Sequence, residues 1–402
     1  MAKTKTGSSR REFIKTVSAA GAVSLLVGAG AAPAQAAGEI MVPRRPFGKT
    51  GVVVSTLSLG GIFDIVSNQM VLHQALKLGV DYWDTAYSYT GGRSETGVGK
   101  FLERYPKERG RIFLVTKAHK RTPEDLEREL NESLQRLNTS YVDLFFVHAI
   151  SDISDVDRPE IKAWAAKMKQ AGKIKLFGFS THRNMESCLA AAPRLGYIDG
   201  IMMTYNYRIM HTDSMKAAVQ ACYDAGIGLT AMKTQGGGPV ADDTEGEVQL
   251  AGRFLKKGFT THQAKMLAVW EDKRIAAICS QMANVTILRA NAAASLDRTA
   301  LSAADRRALM EYAKATEGCY CAGCASLCEE ALSGAAPVAD VMRGLMYARC
   351  HGDRDLARQT LAQALPQGPQ SLLAMDFAPA QAACPKGLPI ARLMREAAEE
   401  LA

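Results

Sequence analysis

Three ionisable residues end three successive apolar runs at nearly equal intervals, and this spacing restricts the fold more than any other feature of the chain. Asp84 ends Val80-Asp81-Tyr82-Trp83, Lys117 ends the run from Ile112 to Thr116, and His148 ends the run from Tyr141 to Val147. The intervals are 33 and 31 residues, close to one β/α unit of an eight-fold barrel, about 30 residues. A helix-forming stretch follows each run, at Glu95–Arg104, Thr122–Leu137 and Pro159–Ala171. Groups at the C-terminal ends of barrel strands point into the mouth where active sites form. The expectation is an α/β protein built on a (β/α)8 barrel, with Tyr89 in the loop leaving the strand of Asp84. An Asp, a Tyr, a Lys and a His around one mouth form a proton-delivery set.

Asp84-Thr85-Ala86-Tyr87-Ser88-Tyr89, followed by Gly92-Arg93-Ser94-Glu95 and Gly99, resembles the signature of the aldo/keto reductases. Val115-Thr116-Lys117 is similar to that family's lysine strand and Asp143 to His148 to its histidine strand, while Lys173 to Ser180 matches its fifth strand. The resemblance covers about residues 44–295. It implies interconversion of a small-molecule carbonyl and an alcohol. Such chemistry needs a hydride on one side of the carbonyl and a proton for the oxygen on the other. Tyr89 is the expected general acid. A free phenol titrates near 10, and a cation beside it, Lys117, is expected to bring that value towards working pH. Asp84 would hold the ammonium, and His148 would orient the carbonyl and donate to its oxygen. A nicotinamide, NADP(H) or NAD(H), would supply the hydride.

The nicotinamide positions depart from the family pattern. Ser180 is followed by Thr181 where the family has Asn, and Met202 stands where a strand-six Gln holds the carboxamide. The family's Lys and Arg for the 2′-phosphate align with Gln281 and Ile287, although Asn291 matches the adenine-side Asn and Arg289 is a nearby cation. Gln235-Gly236-Gly237-Gly238, after the seventh strand, is either a phosphate approach or a loop tip, since three glycines alone are a weak signal. The other barrel elements are expected as a hairpin over Arg44–Ser55 at the barrel floor and strands at Thr56–Gly60, Gly200–Met203, Gly228–Met232 and Ile275–Cys279.

Residues 1–36 read as an export signal and not as part of the fold. Ser9-Arg10-Arg11-Glu12-Phe13-Ile14-Lys15 matches the twin-arginine consensus, a Gly/Ala-rich apolar stretch follows, and Ala34-Gln35-Ala36 is an A-x-A cleavage site. The stretch falls short of the ~20 apolar residues that a membrane span requires. The expected partner is the twin-arginine export machinery and the expected location the periplasm, with membrane anchoring if the signal is kept. This segment contributes +4 of the formal +8 charge. What remains is a mildly basic surface with no clustered Lys/Arg and aromatics, which argues against nucleic acid as a partner. After the barrel, expected over 43–300, the chain leaves room for a small second domain over 302–402.

The cysteines of that tail carry its chemistry. Cys321-Ala322-Gly323-Cys324 and Cys328 form C-x2-C-x3-C, and Cys384-Pro385 lies 56 residues further on. The two-cluster ferredoxin run is C-x2-C-x2-C-x3-C-P, its fourth Cys serving the other cluster. The tail is similar to the ferredoxin-type domain that some aldo/keto reductases carry. The second cluster's positions fall on Ala374, Phe377, Ala380 and Leu332, so one complete ligand set is absent and the other, Cys321, Cys324, Cys328 and Cys384, is complete. This implies one [4Fe–4S] cluster in a small α-helical domain, with zinc or disulfides as alternatives. Cys188, Cys222 and Cys279 read as buried small hydrophobes. The remaining histidines read as surface or structural residues, except that His119 could line the mouth. Besides an oxidoreductase with a further redox partner, the sequence admits an electron-transfer protein on a barrel scaffold and a non-catalytic binding protein.

Overall fold

In the computed structural model, residues 41–236, 244–256, 260–296 and 300–402 are described; the export motif and Gly237-Gly238 lie outside them. A short antiparallel hairpin of β1 (Arg44–Pro46) and β2 (Val53–Ser55) precedes eight further strands. These are β3 (Leu57–Gly60), β4 (Tyr82–Asp84), β5 (Phe113–Ala118), β6 (Val142–Ile150), β7 (Ile174–Thr181), β8 (Gly200–Thr204), β9 (Gly228–Met232) and β10 (Ala277–Gln281). All eight pair in parallel and close in the order β10-β3-β4-β5-β6-β7-β8-β9. Helices α1 (Gln69–Lys77), α2 (Arg93–Arg104), α3 (Pro123–Arg136), α4 (Pro159–Gln170), α5 (Met185–Ala191) and α6 (Asp213–Asp224) alternate with the strands; α7 (Thr244–Leu255) and α8 (Thr261–Trp270) precede β10, and α9 (Val285–Leu296) follows it.

The strands are buried on both faces, as parallel barrel strands are. On β6, Phe145 turns outward onto Trp164 of α4, with ring centroids 5.6 Å apart, while Phe146 faces the barrel interior with Tyr82, Val115, Leu144 and Met202. Phe47, from the hairpin turn, plugs the N-terminal end against Tyr82 and Phe113. That plug explains Gly228, because a Cβ there would meet the Phe47 ring at 2.4 Å. The last strand differs from the expected Ile275–Cys279 by two residues. Asp272–Ile275 is occupied by a turn, with the Ile275 N–H donating to Asp272 O, and pairing with β3 runs from Ile278 to Gln281.

The tail is helical among the described residues: α10 (Ala303–Ala315), α11 (Ala325–Cys328), α12 (Val338–Cys350), α13 (Arg354–Ala364), α14 (Ala378–Ala382) and α15 (Ile390–Glu400). Ser302 caps α10 through a reciprocal bond with Asp305. Leu309 and Tyr312 of α10 join the barrel's core, whereas the tail's own core gathers Val341, Met342, Leu345, Leu361, Leu393 and Met394. Phe377 and Ala380, at positions a second cluster would need, are buried in that core. Among the described residues no helix is long and apolar enough to cross a membrane.

Candidate active site

The strand-end residues meet at one point of the barrel mouth. Lys117 Nζ, almost fully buried, donates to Asp84 Oδ2 at 2.7 Å, to Thr85 O at 2.7 Å and to Tyr89 OH at 3.3 Å. The His148 ring lies 5.7 Å from the Tyr89 ring, edge to face. An irregularity in β6 presents His148: pairing with β7 shifts register between Val147 and Ile150, and Ala149 takes a left-handed φ of 56°. Ser180 Oγ on β7 accepts the Ala149 N–H at 2.9 Å and holds this bulge.

Burial sets the protonation states. It raises the Asp84 carboxyl, opposed by Lys117. The Tyr89 phenol moves in the direction opposite to expectation: burial first, then Asp84, Cys279 and Tyr347, push it well above 10, with Arg343 opposing. The positive end of Lys117 is bound up with Asp84 and the Thr85 carbonyl, so little of its field is left for the phenol. His148 is pushed well below 6.5 by burial and by His119, Lys117, His182 and Arg343, and His119 falls to about 4 for the same leading reason. At neutral pH the mouth therefore holds a protonated phenol beside a neutral imidazole.

Two residues depart from their expected surroundings. His119 does reach the mouth, its ring 4.1 Å from that of His148, but His182 also stands there, 6.5 Å from His148, where spacing suggested a surface or structural residue; partly exposed His211 lines the adjoining cavity. Cys279 is no inert filler either, since its Sγ approaches Asp84 Oδ2 at 3.7 Å. Lys233, directly after β9, was missed, although the strand-end rule that singled out Lys117 points to it equally. It adopts φ 54° and donates to Tyr347 OH of α12 at 3.2 Å. Burial raises the Tyr347 phenol, but Lys233 and Arg343 together outweigh it and leave it below its ordinary value. Nothing in the sequence placed Arg343 and Tyr347 at the mouth, because they come from the tail.

The five expected cofactor contacts fall into two places. Ser180 and Met202 are register partners on β7 and β8 with Thr181 beside them, while Gln281 ends β10 and Asn291 lies on α9. Thr181 Oγ1 donates to Arg183 O at 2.7 Å, Met202 is packed into the barrel interior, and exposed Gln281 donates to Ile62 O. Asn291 is buried and donates to Ser280 Oγ at 3.1 Å. These side chains do not form an amide clamp for a nicotinamide, and Gln281 and Ile287 bring no charge for a 2′-phosphate.

Cys321, Cys324, Cys328 and Cys384 line one small cavity, with Val338, Met342 and Ile390 around them, and none of the four is in a disulfide. Gly323 allows this loop to reach the barrel: a Cβ there would sit 2.5 Å from His182 O, and the Asn184 N–H donates to Gly323 O at 3.0 Å. Burial and the neighbouring thiols push Cys321 up to about 12, and burial with Glu329 and the other thiols pushes Cys328 up to about 11. A cation among them would reverse that. Among the described residues no group of three or more His, Cys, Asp or Glu is arranged to hold a metal ion.

The aldo/keto reductase family model matches residues 57–291. Relatives include an uncharacterised oxidoreductase of Bacillus subtilis, 25% identical over 57% of this chain and 74% of its own length. The D-threo-aldose 1-dehydrogenase of a Pseudomonas species is 26% identical over 55% of this chain and 74% of its own length. An aldo-keto reductase of Strobilurus tenacellus is 28% identical over 51% and 62%. In three dimensions the chain is similar to the holo form of an aldo-keto reductase from Bacillus halodurans, with a TM-score of 0.57 and 22% identity over 67% of this chain and 96% of that one. That likeness is one of fold; the sequence match, which spans more than half of the chain, goes further. The chain belongs to the aldo/keto reductase family.

Proposed function

We propose that this protein interconverts a small-molecule carbonyl and its alcohol, with Tyr89 as general acid, and that the tail holds one [4Fe–4S] cluster on Cys321, Cys324, Cys328 and Cys384. The carrying observation is Lys117 Nζ within hydrogen-bonding reach of both Asp84 and Tyr89. In the reduction, Tyr89 passes its O–H proton to the carbonyl oxygen as charge develops there, while the neutral His148 ring donates to the same oxygen and fixes its direction. Lys117 then stands beside the phenolate left on Tyr89, and Asp84 keeps the ammonium in place. A reduced nicotinamide, when bound, supplies the hydride. The side chains present form no amide clamp for it.

Four cysteines around one cavity, and Phe377 and Ala380 buried in the tail core at two of the positions a second ligand set would need, support a single cluster. The twin-arginine motif at Ser9 to Lys15 supports export in folded form. Replacing Tyr89 by Phe should lower carbonyl reduction about 10²–10⁴-fold with the fold intact, measured as turnover across a panel of aldehydes and ketones. Undiminished turnover would remove Tyr89 from the acid role. One observation favours a second reading, an electron-transfer protein on a barrel scaffold: Met202, packed inward, gives a carboxamide no partner. No change in NADPH or NADH fluorescence on mixing with the protein, together with a reducible cluster, would favour that reading.

A further inference from the structure

A cavity of about 300 Å³ lies between the C-terminal ends of β7–β9 and the tail helices α10 and α12. Among the described residues six lysines and arginines line it against one carboxylate, Glu317. Some of these charges are neutralised within the protein: Arg183 pairs with Asp340 at 2.8 Å, Arg343 with Asp340 at 2.7 Å, and Lys386 with Glu317. Arg208 is different. Its Nη1 donates to Thr316 Oγ1 at 2.9 Å and Ala313 O at 3.3 Å, which ties the guanidinium to the end of α10. Its Cζ lies 3.3 Å from the Tyr320 ring centroid and 5.1 and 5.0 Å from those of Tyr207 and Tyr312. Its Nε and Nη2 are buried and meet no acceptor among the described residues.

Nε and Nη2 form the side of a guanidinium that grips a carboxylate with two parallel hydrogen bonds. Rings can stabilise the face of the cation, but they cannot accept in-plane N–H groups, and a buried donor without an acceptor is costly. Gly236 keeps the space beside this fork open, since a Cβ there would lie 3.0 Å from Arg208 Nε. Two more orphaned polar atoms, His182 Nδ1 and Thr204 Oγ1, belong to residues lining the same cavity. His182 in turn stands 6.5 Å, ring to ring, from His148. The cavity thus opens one imidazole away from the tetrad.

We propose that this cavity recognises an oxyanion on the substrate, so that the substrate class is a carbonyl compound or alcohol bearing a carboxylate, held by the Arg208 fork, with Lys233 of the same lining adding positive charge. The term substrate rests on the reading of the tetrad as a carbonyl-reducing centre. The volume is at the small end of ligand pockets, which run from about 300 to 1,000 Å³. It suits a compact metabolite and not a whole dinucleotide.

The test is calorimetric titration of the full-length protein with oxo acids whose carbonyl lies at different distances from the carboxylate, each paired with its neutral methyl ester. At least one acid is expected to bind about tenfold or more tightly than its ester, as charge-assisted hydrogen bonds require. Arg208→Gln should abolish that preference, and Arg208→Lys, which keeps the charge without the fork, should recover only part of it. Equal binding of every acid and ester by the unaltered protein would overturn the proposal, and this comparison stands even if Arg208→Gln does not fold. A preference that persists in a folded Arg208→Gln would also overturn it, as would a loss confined to NADPH binding, which would give the fork to a dinucleotide phosphate. Tyr89→Phe should lose turnover and keep acid binding. A Tyr89 variant that still turns over defeats the catalytic reading alone, while equal acid and ester binding defeats the anion site alone.

Discussion

Tyr89 and His148 face each other across 5.7 Å, and both are held neutral because the charged form of each would lose its water. A general acid has to keep its proton until the substrate arrives, and a raised phenol does so across the neutral range. The histidines also make stability depend on pH. His119 titrates at about 4 in the folded chain against 6.5 when unperturbed, with His148 and His182 shifted the same way. Between these values the unfolded chain binds more protons than the folded one, so stability is fully present above pH 6.5 and falls as pH drops towards 4. Urea midpoints measured across that window should decline with acidity, and less steeply in His119→Gln, which removes one titrating ring. A parallel decline in both proteins would show that His119 does not carry this linkage.

At the scale of elements, two devices shape the barrel. The bulge at Ala149 turns His148 into the mouth, and the Phe47 plug closes the opposite end. Gly228→Ala should destabilise by about 1–3 kcal/mol, the usual cost of overpacking, because its Cβ has only 2.4 Å to the Phe47 ring. Denaturant unfolding of the single variant and of Gly228→Ala with Phe47→Leu checks this, the smaller side chain being expected to recover part of the loss. In the tail, the loop bearing Cys321 and Cys324, α11 bearing Cys328, and the turn after α14 bearing Cys384 converge on one cavity. Cys384→Ala should remove iron and sulfide and loosen the tail, since ligand binding is part of the folding energy of a small metal domain. Cys350→Ala should leave iron and sulfide at about four atoms each per chain. Iron analysis of the two variants decides whether the right four cysteines have been chosen.

At the scale of the whole molecule, the tail forms a wall of the barrel mouth. Arg183 ties the loop after β7 to Asp340, Lys233 reaches Tyr347, and Arg208 reaches Thr316. Because the site is built from both parts, we propose that the chain folds before export by the twin-arginine route read at Ser9 to Lys15. A tagged protein should fractionate with the periplasm, and replacing Arg10 and Arg11 with Lys should leave it inside with its fold intact. Unchanged export of that double variant would refute the route.

The sequence by itself determined the strand-end positions of Asp84, Lys117 and His148 and the β/α spacing, because these follow from local period and residue type, while Met202 in place of an amide followed from the family resemblance. It missed the start of β10 by two residues, since an apolar Ile275-Ala276 reads the same in a turn as in a strand. The protonation of Tyr89 was decided only in three dimensions, where burial and the engagement of Lys117 with Asp84 outweigh the cation that sequence reasoning counted. The same holds for His182, Lys233, Arg343 and Tyr347 at the mouth, and for the open fork of Arg208. These depend on a tail more than a hundred residues away in sequence folding back over the barrel, and no local pattern encodes which side chains that contact will bury.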